Sequence, residues 1–210
     1  MKIIKISSKV EALKVATEEI PEGSSSICLT AGNFGTTLLD SWIDIDLDIS
    51  SWEIFLTDER LTSSKEDQNG FVLAKKISKL IGFNSQNLNI FNQANTPYEM
   101  HSNITEKLNS NAISKFDLCF LSLGEDGHLA GHFSNSNILP DTRFCYTDEA
   151  SKKPKKRISF NLDWLMLSTK VILVVLGKEK QEALMELMSD RAIHSNIWDS
   201  ENLILITDIF

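Results

Sequence analysis

The chain has 210 residues, 42% of them hydrophobic and 24% charged, and a formal net charge of −8. That length is enough for a well-buried core, and the expected organisation is a single domain over residues 1–210. The acidic balance argues against broad binding to nucleic acid or to anionic membranes, although a few local cations can still hold a small anionic ligand.

No apolar run approaches the roughly 18 residues of a membrane span. The longest, "VILVVLG" from Val171, is strand-sized. The start, "MKIIKISSKVEAL", lacks the apolar region and cleavage site of a signal peptide. Cys28, Cys119 and Cys145 are odd in number and widely spaced, and the first two sit inside apolar runs. They read as small core residues in a reducing compartment, not as a disulfide frame or a metal cage. A cytoplasmic location is expected.

In chain order, "KIIKI" reads as a first strand. Ser8 and Glu11 have the spacing of a capping box for the helix that follows, whose face carries Val10, Leu13, Ala16, Thr17 and Ile20. Pro21 and Gly23 stop that helix. "SICLTAG" is a second strand ending at Gly32, and "TTLLDSW" a short helix. "WEIFLT" is a third strand, followed by a loop from Asp58 to Gly70 and a helix from Phe71 to Ile81. "LNIF" is a weak strand, and Pro97–Ile113 a helix with proline suited to its first turn. "FDLCFLSLG" reads as a buried strand, then an irregular stretch runs from Asp126 to Pro154 with a strand at "RFCYT". "RISFN", "KVILVVLG" and "NLILI" are further strands, interleaved with helices at "DWLML" and "KEKQEALMELM". Near-continuous apolar strands alternating with helices predict an α/β fold with a mainly parallel sheet covered on both faces.

Four polar motifs follow strands: "TAGNFGTT", "DER", "GEDGH" and "GKEK". In an open parallel sheet the carboxyl ends lie along one edge, where ligands bind. The first motif could be a plain turn or a phosphate cradle, in which glycines admit an anion to the amides of the next helix. It is neither a Walker motif nor G-x-G-x-x-G. "DER" taken alone is a solvated charge cluster, and "GEDGH" a tight turn around Gly127. Lys178 and Lys180 resist a bland reading, because lysine is disfavoured at a helix N-terminus and so invites an anionic partner. His128 and His132 stand four apart, but the surrounding zinc-motif context is missing and no metal is expected. His101 and His194 lie in no recognisable motif.

Together, "LTAGNFGTTLLD", "WEIFLTDERLTSSKEDQNG", "FDLCFLSLGEDGHLAGHF", "KKPKKRISFNLDWL" and "VVLGKEKQEAL" resemble, in order, the motifs of the 6-phosphogluconolactonase family. That family is related in fold to glucosamine-6-phosphate deaminase. The resemblance runs over nearly the whole chain and implies a doubly wound, Rossmann-like fold. There are departures. Asn33 and Phe34 stand where Ser-Thr is usual, Gly35 where proline is common, and Ser122 replaces one signature glycine. Leu129, Gly131 and Ser134 replace Thr, Ser and Pro, and the end after Arg191 matches poorly.

The resemblance implies hydrolysis of 6-phospho-D-glucono-1,5-lactone to 6-phosphogluconate, without metal or cofactor. A neutral imidazole suits the task of taking a proton from attacking water, which points to His128. Asp126 or Glu125 would orient it. Backbone amides near Gly124–Gly127, or Arg60, would stabilise the tetrahedral oxyanion. By the same comparison, Gly32, Asn33, Gly35, Thr36, Asp58, Arg157 and Lys180 would bind the sugar phosphate, Arg157 as a bidentate fork and Lys180 as a point charge. The expected partner is thus a small sugar phosphate, not nucleic acid or membrane. A sister reading is an isomerase or deaminase of an amino-sugar phosphate. Another is a sugar-phosphate-binding module without catalysis, motivated by Asn33 and Phe34.

Overall fold

A computed structural model describes residues 1–189 and 195–210. His194 and Arg191, noted in the sequence, lie outside the described residues. Among the described residues, eleven strands and six α-helices follow in chain order. They are β1 (Lys2–Lys5), α1 (Lys9–Glu18), β2 (Ser25–Leu29), α2 (Gly32–Asp44), β3 (Trp52–Leu56), β4 (Asp58–Arg60), α3 (Asn69–Ile77), β5 (Leu88–Asn89), α4 (Ser102–Ser110), β6 (Leu118–Ser122), β7 (Asn137–Ile138), β8 (Phe144–Thr147), β9 (Arg157–Phe160), α5 (Leu162–Leu165), β10 (Lys170–Val175), α6 (Gln181–Leu187) and β11 (Leu203–Thr207).

Seven strands form one parallel sheet in the order β1-β11-β10-β6-β2-β3-β5. The expected doubly wound α/β fold is therefore observed. Its strands alternate between two apolar layers, as the period of two demands. In β10, Val171, Leu173 and Val175 join one cluster, while Ile172 and Val174 join the other. Helices α1, α2 and α3 cover the second face with Ala12, Leu39 and Leu73 among others. Helices α4, α5 and α6 cover the first with Leu108, Leu165 and Leu184. Both faces are dry, which explains why the strands read as nearly continuous apolar runs.

A four-stranded antiparallel sheet, β4-β9-β8-β7, packs on the first layer. Phe144, Ile158 and Phe160 bind it into that core. The expectation of a loop from Asp58 is corrected here. After β3 the chain passes through Thr57, whose amide donates to Leu29 O at 3.0 Å, and goes straight into β4. "DER" is a strand because it pairs with β9, a contact about a hundred residues distant that no local pattern announces.

Two helix starts also move, and one cap differs in detail. Helix α2 begins at Gly32, so "GNFG" is its first turn and not a preceding loop. The stretch from Pro97 is a 3-10 turn, Pro97–His101, before α4 starts, and Glu99 accepts from the Thr96 amide at 3.2 Å. Ser8 caps α1 by accepting from Glu11 N at 3.2 Å, but the Glu11 carboxylate returns to the amide of Ser7 at 2.7 Å, one residue before the reciprocal position of a capping box.

Candidate active site

The two halves of the parallel sheet grow in opposite directions from the β2–β6 pair: β2 leads outward to β3 and β5, and β6 leads to β10 and β11. A crevice opens beyond the carboxyl ends at such a switch point, because the connections on either side depart to opposite faces. A cleft of about 220 Å³ lies there. It takes Gly32, Asn33 and Phe34 from the start of α2, Asp58 and Arg60 from β4, and Gly124, Glu125 and His128 from the turn after β6. Arg157 of β9 and Lys180 after β10 complete its wall.

His128 is placed by a compact turn. Gly124 donates its amide to His128 O at 2.9 Å, and Gly127 donates to Gly124 O at 3.1 Å while holding φ at +81°. A side chain at Gly124 would put Cβ 2.2 Å from His128 Nδ1, so this glycine is what lets the imidazole fold back over the turn. His128 Nδ1 is hydrogen-bonded to Asp126 Oδ1. An ionised Asp126 can only accept, so it favours the tautomer with the proton on Nδ1, which leaves Nε2 to act as base. Asp126 also accepts from Ser151 Oγ. Partial burial works against the Asp126 charge, but the bonds from Ser151 and His128 outweigh it and hold the carboxyl below its ordinary value. Of the two acids left open by the sequence, Asp126 is the one bonded to His128. Glu125 turns instead to Lys152, with Nζ to Oε2 at 3.2 Å. On its other face the His128 ring stacks on Phe133, centroids 4.6 Å apart and planes 20° from parallel.

The cations converge from two strands and a turn. Arg60 and Arg157 are direct cross-strand partners in the β4–β9 pair. Like charges so placed repel, and an anion between them would relieve the cost. Arg157 is only 5% exposed, and it donates through Nε to Pro154 O at 3.1 Å and through Nη2 to Lys152 O at 3.3 Å. Burial lowers its pKa; Asp58 opposes that shift and the nearby Arg60 adds to it. Arg60 donates through Nη1 to Asp67 O at 3.3 Å, while its buried Nε has no partner among the described residues. Burial likewise lowers the Lys180 ammonium, against Glu179 and Glu125. The first turn of α2 carries no acidic residue and no side-chain cap, and its first residues, at the positive end of the helix, line the cleft.

Two of the predicted phosphate ligands do not line the cleft. Gly35 is buried, and a Cβ there would lie 1.8 Å from Thr30 O; its role is to bring α2 against the end of β2. Thr36 turns its hydroxyl back into the helix, donating to Gly32 O at 2.9 Å. Asp58 does line the cleft, but its carboxylate is engaged by Thr57 Oγ1 at 2.9 Å and by Asn69 Nδ2 at 2.9 Å. Beneath it, Glu59 accepts from the amides of Arg60, Asn69 and Gly70 at 2.6 to 2.7 Å, and so caps α3 from a different strand. Burial raises Glu59 to about 7, even against those three bonds.

Sequence reasoning did not single out Ser151, Phe133 or Glu59 for the site. Ser151 and Phe133 lie on turns with no periodic signal, and Glu59 was read only as part of a charge cluster. The spacing of His128 and His132 does not put them on one helix face, because residues 124–136 are turns and isolated bridges.

The chain matches the profile of the family described as glucosamine-6-phosphate isomerases/6-phosphogluconolactonase over residues 7–198. It is 30% identical, over 188 residues, to a rice protein (Oryza sativa subsp. indica) named probable 6-phosphogluconolactonase 2, a match covering 81% of this chain and 67% of that one. Among solved structures, its fold is similar to a monomeric glucosamine-6-phosphate deaminase, with TM-score 0.81, 17% identity and coverage of 100% and 98% of the two chains. It is similar to the 6-phosphogluconolactonase of Leishmania guyanensis as well, with TM-score 0.80, 16% identity and coverage of 99% and 96%. With a match of that extent over a switch-point cleft of this make-up, the chain belongs to the glucosamine-6-phosphate isomerase/6-phosphogluconolactonase family.

Proposed function

We propose that the chain is a 6-phosphogluconolactonase, hydrolysing 6-phospho-D-glucono-1,5-lactone to 6-phosphogluconate in the oxidative pentose phosphate pathway. The observation that carries this reading is a single cleft holding an Asp126-bonded imidazole together with Arg157 and Lys180. An ester with a remote dianion needs both, a base at one end and cations at the other. Relatives whose names carry the same activity support it.

Water attacks the lactone carbonyl while His128 Nε2 takes its proton. Asp126 stabilises the imidazolium that forms and keeps the ring's tautomer. The carbonyl oxygen becomes an oxyanion, for which Arg60, on the wall of the cleft, is a candidate donor. Collapse of the tetrahedral intermediate breaks the bond from the carbonyl carbon to the ring oxygen, and the imidazolium returns its proton to that oxygen. No covalent enzyme intermediate is required. Arg157, Lys180, Asn33 and the first turn of α2 hold the phosphate, which fixes the pose of the lactone at a distance from the reacting carbon. The cytoplasm is the proposed compartment, in keeping with three buried free cysteines. Among the described residues no helix is long and apolar enough to cross a membrane.

The test is a coupled assay with freshly generated lactone, corrected for spontaneous opening, run beside glucosamine 6-phosphate. Lactone turnover without ammonia release is expected. Ammonia release from the amino sugar alone would replace this reading with the deaminase. Binding of 6-phosphogluconate with no turnover above background would reduce the chain to a binding module.

A further inference from the structure

We propose that Phe133 is a positioning residue that couples the phosphate arginine to the general base through one aromatic ring. The proposal deepens the reading above and rests on it. Phe133 is 8% exposed, yet it belongs to neither of the two apolar clusters that make the core. Its burial is directed at the site instead. The His128 imidazole stacks on the ring at 4.6 Å, and the Arg157 guanidinium carbon lies 5.6 Å from the centroid of the same ring.

The backbone is built to bring this ring back under His128. The chain reverses at Ala130, which holds φ at +53°, a conformation that non-glycine residues seldom adopt. Gly131 follows in a space where a Cβ would meet Ser159 Cβ at 2.9 Å and Asp58 Cβ at 3.0 Å. Phe133 is then clamped to Ser136 in both directions, its amide donating to Ser136 Oγ at 2.9 Å and the Ser136 amide donating to Phe133 O at 3.0 Å.

An aromatic face carries negative potential and favours cations. One ring therefore serves Arg157 at all times and His128 at the moment it becomes an imidazolium. Arg157 donates to two backbone carbonyls of the 152–154 turn. When an anion draws on its fork, the ring is the side-chain surface that constrains how the guanidinium can shift, and His128 rests on that same surface. Occupancy of the phosphate site is felt at the base without any contact between the two.

The test compares Phe133→Leu with Phe133→Tyr, using Phe133→Met should the leucine variant fail to fold. Inorganic phosphate is titrated while the His128 imidazole resonances are followed by NMR, and lactone kinetics are measured in parallel. Phosphate is expected to move the His128 resonances in the native protein. In Phe133→Leu it should still bind but move them far less, with kcat down about tenfold and KM up several-fold, as for loss of positioning. Phe133→Tyr should restore all three readouts. Unchanged kinetics and an unchanged phosphate-induced shift in the leucine variant would overturn the coupling, as would a well-folded tyrosine variant that fails to restore them. If His128→Ala also turned over normally, the lactonase mechanism itself would fall and the coupling with it. An inactive His128→Ala beside an unaffected Phe133→Leu would remove Phe133 alone.

Discussion

At the scale of single residues, His128 carries the largest expected loss. His128→Ala should lower kcat on the order of 10²-fold or more while leaving 6-phosphogluconate binding largely intact, as expected for removal of a general base. Asp126→Asn keeps the size of the side chain but no longer selects the Nδ1–H tautomer. Its kcat should fall by about 10²-fold with KM little changed, a split that steady-state kinetics would read directly. Lys180→Ala should do the reverse, raising KM for the phosphorylated lactone on the order of tenfold at nearly constant kcat. An unchanged KM would remove Lys180 from the phosphate site. His128, Asp126 and Lys180 were named because each stands in a short motif after a strand, whereas Arg157, at the start of β9, was named only through the family resemblance. The choice between Asp126 and Glu125 was not legible, since neighbours in sequence differ only in where the turn points them. Gly35 and Thr36 do not line the cleft: Gly35 seats α2 against Thr30, and the Thr36 hydroxyl bonds back within its own helix.

At the scale of elements, two joints hold the cleft open. Helix α2 packs on the end of β2 through Gly35, and Gly35→Ala would drive a methyl into Thr30 O. The variant should lose about 1–3 kcal/mol or more of stability, measured by denaturant unfolding, because a backbone carbonyl cannot yield as a side chain can. The second joint is the Glu59 cap on α3. Burial raises this acid from its ordinary value of 4.5 to about 7. Between those values the unfolded chain has released its proton while the folded chain keeps it. The unfolded state thus binds fewer protons, and stability from this group falls as pH rises through the window, by about 3 kcal/mol at most. Unfolding free energies at pH 5 and pH 7.5 should show that slope in the native protein and a flatter one in Glu59→Gln. The long elements were readable from apolar runs of strand length and from helical spacing. "DER" was not, because β4 exists only through its pairing with β9, and a three-residue strand has no period of its own.

At the scale of the whole molecule, the sequence carried the architecture further than it carried the site. Alternation of buried strands with amphipathic helices specifies a sheet covered on both faces, and β2, β3, β6, β10 and β11 all fall where their apolar runs place them. The strand order and the second sheet depend on long-range pairing, and these two features bring Arg60 opposite Arg157. A molecule of net charge −8 that gathers two arginines and two lysines in one cleft should be stabilised by the anion it holds. At 6-phosphogluconate a hundredfold above its Kd, the gain should be about 2.7 kcal/mol, seen as a rise in Tm that Arg157→Ala abolishes.

The arrangement of base and phosphate site in one pocket is tested most directly by a crystal structure with 6-phosphogluconate bound. The phosphate is expected within hydrogen-bonding distance of Arg157 and Lys180, with the carboxylate end beside Nε2 of His128. A phosphate seated away from both cations, or a sugar whose carboxylate points away from that imidazole, would contradict it.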